Sequence, residues 1–285
     1  MIMQPAILLK TLILALLLLV IQRGNAHSAE DNLAEDKRLV CCRQPNPDTA
    51  ELFKNAERYY KQFKPKEAAA ELEKVLQLEP ENFEALAKLA RAHIDIGDMI
   101  PQTASDGQEK RMKEYKTAEG YARKAIAANP NSTWGYFYVA ASLGNVAMLS
   151  SVGTQIDLAG EIRGAVEKAI ALDPQNGFAY CVYGIWHRKM AEIGKTKRMF
   201  ASLVYGRAVP AGTLEKSVEY LKKAVMLNPT VIVSRLELAK SYVAMENWPL
   251  ARTILASIRE LPIQFSDDAS HKQKAEVLLQ EIKER

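Results

Sequence analysis

Apolar positions recur every three or four residues along most of the chain, and the recurrence stops at regular places. Leu52, Ala56, Tyr59 and Phe63 form one series, and Ala68, Leu72, Val75 and Leu76 form the next. Such spacing lays an apolar stripe along one side of an α-helix, so it predicts amphipathic helices packed in pairs. The segment ELEKVLQLEPEN at 71–82 returns in altered form as GYARKAIAANPNS from Gly120, EIRGAVEKAIALDPQN from Glu161 and KSVEYLKKAVMLNPTV from Lys216. Each copy ends on a proline: Pro80, Pro130, Pro174 or Pro229. A proline ring removes an amide donor and clashes with the preceding turn, so each copy marks the end of one helix. Asn82, Ser132 and Asn176 then stand where the next helix needs its N-cap.

The pattern resolves into five helix pairs. Asp48 caps the first helix, and Pro65 opens its partner. The second pair takes residues 82–97, with Leu86, Leu89, Ala90 and His93 facing in, and residues from about 110 to 128. Between them, 99–108 reads as a loop around Pro101 and Gly107. The third pair spans 133–150 and 155–172. The fourth starts at Asn176 and carries an insertion, a basic amphipathic helix near 196–205, before Thr213 opens its second helix. The fifth takes 231–245 and 249–260, and 267–285 reads as a polar capping helix. No strand pattern of any length occurs. Helix pairs repeated along one chain stack into a solenoid with a continuous core.

The arrangement resembles the tetratricopeptide repeat, a unit of about 34 residues with small side chains where its two helices cross. Ala68, Ala118 and Ala251 hold those positions in second helices, and Ala90, Ala140, Gly184 and Ala239 hold them in first helices. The fifth repeat matches best, through Leu238, Ala239, Tyr242, Ala251, Leu255 and Pro262. The resemblance implies an all-α fold: a tetratricopeptide-like right-handed helical solenoid with insertions and a C-terminal capping helix, over residues 48–285. Successive prolines lie 50, 44 and 55 residues apart, so the superhelix is expected to be irregular. The stretch VEKAIALDPQNGFAYCVYGIWHRKMAEI from Val166, the inserted helix and then AGTLEKSVEYLKKAVMLNPTV together resemble the tetratricopeptide domain of the regulator of microtubule dynamics family. Gly184-Ile185-Trp186 is the most specific part. Members of that family are linked to microtubules, spindle poles or organelle contacts, and some are membrane-anchored. The resemblance therefore implies microtubules as a possible partner.

The start of the chain points elsewhere. An apolar run at 11–21 follows Lys10 and precedes Gly24-Asn25-Ala26, which reads as a signal peptide over 1–26 cut after Ala26. The expected location is exported, periplasmic or secreted, which would hold the chain away from tubulin. The alternative is an uncleaved N-terminal membrane anchor, although the run is shorter than the roughly 20 apolar residues that span a bilayer. Residues 27–47 are polar, contain Pro45 and Pro47, and read as a flexible arm. Cleavage would lower the net charge from +4 to +2, which is not the balance of a nucleic-acid-binding protein. Cys41, Cys42 and Cys181 are read as unpaired thiols, with a vicinal Cys41–Cys42 bridge or a link from the arm to Cys181 as the alternatives, and the vicinal pair does not match a tetrahedral metal-ligand spacing.

No catalytic, metal or cofactor motif is present. His27, His93, His187 and His271 are scattered, and none belongs to a His-Glu-x-x-His arrangement. His93, Asp95 and Asp98 would not converge on one helix, so His93 is assigned to packing. The reading is a non-catalytic scaffold that binds a protein or peptide and needs no cofactor. The alternatives are an amphipathic ligand or lipid inside the superhelix, or the microtubule role of the resembled family; the membrane enters only if the leader is uncleaved. The repeat register turns Tyr60, Arg91, Trp134, Phe137, Asn145, Phe178, Arg188, Lys189 and Lys240 toward the concave side, and sends Tyr136 and Val139 to the core. Aromatics beside cations suit an extended acidic or C-terminal peptide. The cations Arg188, Lys189, Lys195, Lys197, Arg198 and Arg207 have only Glu192 among them and are read as a solvated face, with an anion-binding patch as the alternative.

Overall fold

Each proline-closed copy ends a helix, and the residue types around it explain how. Pro80, Pro130, Pro174 and Pro229 all lie in the turns between helices. Just beyond them, Asn82 accepts from the amide of Ala85 at 2.9 Å, Ser132 from Trp134 at 3.4 Å and Asn176 from Ala179 at 3.1 Å. These bonds satisfy amide donors that the first turn of a helix leaves open. Thr213 does the same for Lys216, and Asn247 for Leu250.

The computed structural model describes residues 47–101, 103–206 and 209–285. The expected leader at 1–26, nearly all of the arm at 27–47, Cys41, Cys42 and Arg207 lie outside the described residues. The described helices are α1 (Pro47–Lys61), α2 (Pro65–Leu78), α3 (Phe83–Met99), α4 (Gly107–Ala128), α5 (Thr133–Met148) and α6 (Val152–Leu172). They continue with α7 (Gly177–Glu192), α8 (Lys195–Tyr205), α9 (Leu214–Leu227), α10 (Ile232–Ala244), α11 (Trp248–Ile258) and α12 (Asp268–Glu281). No strand occurs among the described residues. None of these helices is long and apolar enough to cross a membrane.

Residues Glu51–Arg285 form one compact unit. Within it, α3 packs on α4, α5 on α6, α7 on α9 and α10 on α11, as pairs should. The second helix of each pair also packs on the first helix of the next: α2 on α3, α4 on α5, α6 on α7 and α9 on α10. First helices touch one another in turn, α3 with α5, α5 with α7 and α7 with α10. The result is the expected solenoid, lined on its inner side by first helices. Helix α12 packs on α10 and α11 and caps the stack. Helix α8 is the expected insertion, and α7 meets α9 directly without it.

Two local expectations are corrected. Phe63 is not in the core: it is 38% exposed, with φ +56°, in the turn before Pro65. Proline at the first position of α2 makes the chain reverse just before it, and Phe63 falls in the reversal rather than on the stripe of α1. Asp48 lies inside the first turn of α1, where the helix dipole favours an acid, because the helix already starts at Pro47.

The small crossing positions are closed. Ala68, Ala90, Ala118, Ala140, Ala239 and Ala251 have no exposed surface. Gly184 is tighter still, since a Cβ there would stand 2.5 Å from Leu221 Cγ and 3.1 Å from the Ser217 carbonyl oxygen. Ser217 Oγ donates to the Gly184 carbonyl at 2.7 Å, which ties α9 to α7 at their nearest approach. Two residues on, Trp186 Nε1 donates to the Ala159 carbonyl at 2.9 Å and binds α7 to α6. Gly-Ile-Trp thus fastens one helix to two neighbours. Gly184→Ala should overpack that crossing and cost about 1–3 kcal/mol in urea unfolding. Gly164→Ala, with open space around its Cβ, should be neutral or stabilising by up to about 1 kcal/mol. Equal effects at the two glycines would contradict the close approach of α7 and α9.

Candidate functional site

The inner side carries a row of rings contributed by successive first helices. Trp134 and Phe137 of α5 lie 5.8 Å apart between ring centres, and Phe178 of α7 lies 6.2 Å from Trp134 and 6.0 Å from Phe137. Tyr138 joins them, 4.8 Å from Phe137 and 6.0 Å from Trp134. Trp134 is 38% exposed, while Val139 is buried and Tyr136 packs against the core, as the repeat register requires. Nearer the start of the stack, the Arg91 guanidinium of α3 lies 4.3 Å from the centre of the Tyr60 ring on α1. A cation over an aromatic face is held by the ring's negative quadrupole. Arg91 also lies 3.5 Å from the Asp95 carboxylate one turn along α3. Tyr60 is fixed from its other end, where its hydroxyl donates to the Lys88 carbonyl at 2.6 Å.

One further side chain, absent from every periodic pattern in the sequence, joins these two groups. Phe265, in the connection between α11 and α12, lies 6.0 Å edge-on from Phe178 and 5.6 Å from the Arg91 guanidinium. The connection is thus laid against the inner face of the second and fourth pairs. Gln264, Phe265 and Ser266 share a small hollow with Tyr60, Arg91 and Asp95. The turn that delivers Phe265 is held by Asp268, which accepts from the amides of Gln264 at 2.8 Å and Phe265 at 2.9 Å. Asp267, Asp268 and His271 bring one potential ligand atom each within 4.8 Å of one another, and Asp268 is already engaged by those amides. Five of the nine expected inner residues, Tyr60, Arg91, Trp134, Phe137 and Phe178, therefore belong to one row bridged by Phe265. Asn145 is partly buried near the end of α5 and takes no part in it.

The electrostatics differ from the expected cationic groove. Arg188 is only 5% exposed and donates to Glu237 of α10, and to Glu192 at 3.0 Å. Lys240 donates to the other oxygen of Glu237 at 2.6 Å, and Lys189 lies 3.3 Å from Glu192. Burial alone would push the Glu237 carboxyl up, but Lys240 and Arg188 outweigh it and hold it below the usual range. The cations expected to wait for a peptide carboxylate are paired within the fold, and Arg188 acts as a buried brace between α7 and α10. Glu237 escapes a sequence reading as their partner because it stands 49 residues away from Arg188. Two carboxyls of α3, Asp95 beside Arg91 and Asp98 bonded to Tyr115, are shifted the other way. Burial raises Asp95 to about 7, with Asp98 and Asp267 adding to the rise and Arg91 opposing it. Burial raises Asp98 to about 6 against the hydrogen bond from Tyr115.

His93 is held apart from these carboxyls. Its Nδ1 meets Glu114 at 2.6 Å and its ring stacks on Tyr121 at 5.5 Å, in line with a packing role. His187 is buried against Tyr183 and Tyr220, and burial lowers it to about 4, so it is neutral at ordinary pH. Arg188→Ala should leave the buried Glu237 with Lys240 as its remaining partner and cost about 1–3 kcal/mol in urea unfolding, whereas Arg188→Met with Glu237→Met should recover most of that loss. Lys189→Ala should stay within about 0.5 kcal/mol. A neutral Arg188→Ala would mean that this cation faces solvent after all.

Comparison with known proteins bears on the whole of this architecture. The family model for regulator of microtubule dynamics protein 1-3 matches residues 52–283. Regulator of microtubule dynamics protein 1 of Pongo abelii is 28% identical over 223 residues, covering 76% of this chain and 69% of the relative. The Homo sapiens protein of the same name is 27% identical over 199 residues, covering 70% and 62%. Among solved structures, a thermophilic TPR protein of Thermus thermophilus superposes with a TM-score of 0.58 at 16% identity, over 80% of this chain and 99% of that one. That likeness shows the fold. With the family model running from α1 to beyond α12, the chain belongs to the regulator of microtubule dynamics protein 1-3 family.

Proposed function

We propose that this chain is a non-catalytic binding scaffold whose recognition surface is the inner row of rings from Trp134 to Phe178, extended by Tyr60 and Arg91. The observation that carries the reading is Phe265. The chain lays its own connecting segment against the row, with an aromatic side chain between Phe178 and Arg91. A surface that seats one such segment has the geometry to seat another. An incoming peptide would offer an aromatic side chain to the rings, and its backbone or acidic groups to Arg91 in competition with Asp95. Arg188, Lys189 and Lys240 are already paired, so they support the surface rather than hold a ligand. Binding would require the 261–267 connection to give way, which makes the groove closed at rest.

The relatives' name ties them to microtubule dynamics, and family membership favours a cytoskeletal partner for this chain as a second reading. The apolar run at 11–21 with Gly24-Asn25-Ala26 favours export, in which case the partner is periplasmic or extracellular. The two readings share the same surface and differ in compartment.

An immobilised peptide library probed with the intact protein, with Phe265→Ala and with Trp134→Ala/Phe178→Ala distinguishes the row from any other surface. Phe265→Ala, checked for unchanged helicity, should capture aromatic-containing peptides at least about fivefold better than the parent, since each 1.4 kcal/mol of competition removed is worth about tenfold. The double variant should lose them. Equal capture by all three proteins would move binding away from the row.

A further inference from the structure

The two most exposed large apolar side chains of the described residues, Leu203 and Met199, are not in the groove. Leu203 is 81% exposed, Met199 72% and Val204 59%, and all three belong to the inserted helix α8. Residues 199, 203 and 204 fall within one arc of the helix. Arg198, Ala201 and Ser202 are turned toward the body, where Arg198 donates to the Met190 carbonyl at 3.0 Å and Ser202 Oγ accepts from the Val209 amide at 3.3 Å. The solenoid does not use the outward arc, because α7 and α9 pack on each other without it. Contiguous apolar side chains left in water on a helix that the fold does not need mark a surface for something else.

The sequence of this helix says what. KTKRMFASLVY carries Lys195, Lys197 and Arg198 and no acid. A second copy of the same helix would bring like charge against like charge, which opposes self-association through this face. An anionic bilayer surface complements both features, since its headgroups would attract Lys195 and Lys197 and its acyl boundary would accept Met199, Leu203 and Val204. The ends of the helix fit such a role. Gly194 at φ +71° and Gly206 at φ +67° flank it, and they are the positive-φ glycines of the described residues. Nothing lies within 4 Å of where a Cβ would stand at either, so glycine is there for its backbone freedom and not for packing. Two such joints let α8 tilt as a unit against a plane while the repeats stay fixed.

We infer that α8 is a peripheral membrane-docking helix that lies in the interface of an anionic bilayer. This is a second surface, separate from the ring row and independent of whether the N-terminal leader is cleaved. The test is amide hydrogen exchange on the full chain, read on fragments covering 194–206. The probes are phosphatidylcholine vesicles with and without phosphatidylserine, at low and high salt. Exchange in α8 should slow severalfold with anionic vesicles at low salt, recover at high salt, and change little with neutral vesicles. Met199→Ser/Leu203→Ser and Lys195→Glu/Lys197→Glu should each abolish the slowing and lower the vesicle-bound fraction, while melting at the parent temperature. Protein that sediments with vesicles while exchange in 194–206 is unchanged would overturn the inference, by placing membrane contact elsewhere. Equal protection by neutral and anionic vesicles would overturn the charge requirement. Protection that grows with protein concentration in the absence of vesicles would assign the face to a second copy instead.

Discussion

Helix backbones in this chain approach one another at positions where side chains are small, and much else depends on that approach. Ala90, Ala140 and Ala239 in the first helices, with Ala118 and Ala251 in the second, have no exposed surface. At Gly184 even a methyl group would collide with Leu221. Close contact brings the flanking Leu, Val and Tyr side chains into a succession of apolar clusters along the stack. Burial of that kind is what holds short helices in water, since few of them would persist alone. It also fixes the rotation of each first helix about its axis, and so decides which side chains face the inner side.

Rotation fixed in this way is why the row of rings exists. Trp134, Phe137 and Phe178 occupy inner positions of two successive first helices and meet at about 6 Å, as stacked repeats require. These parts are legible from sequence, because capping residues, prolines and small crossing positions act through local chemistry. Asn82, Ser132 and Asn176 each cap the helix expected of them. Phe63 departs from expectation where a helical spacing runs on into a turn. Glu237 and Phe265 are beyond the reach of sequence for a different reason. Each meets its partners across repeats, Arg188 in one case and Arg91 with Phe178 in the other, and such distances along the chain carry no periodic signal.

Those two residues change the functional picture more than any of the expected ones. Glu237 pairs Arg188 and Lys240, and Glu192 pairs Lys189, so of the inner cations expected from the repeat register Arg91 is the one in the ring row. Phe265 places the chain's own connection on the surface proposed to receive a guest. If a guest binds there as proposed, access would be set by the strength of one internal contact, and affinity would be reduced by the cost of opening it. The inserted helix α8 stands apart from this arrangement: it is neither part of the stack nor part of the row.

A double-mutant cycle on Arg91 and Phe265 measures directly the contact that closes the inner row. Arg91→Ala, Phe265→Ala and the double variant are compared with the parent by urea unfolding. A guanidinium held near a partly buried ring predicts a coupling of about 0.5–2 kcal/mol, so the double variant should lose less than the sum of the two singles. Strict additivity would contradict the closed groove, because two side chains that do not touch cannot share an energy.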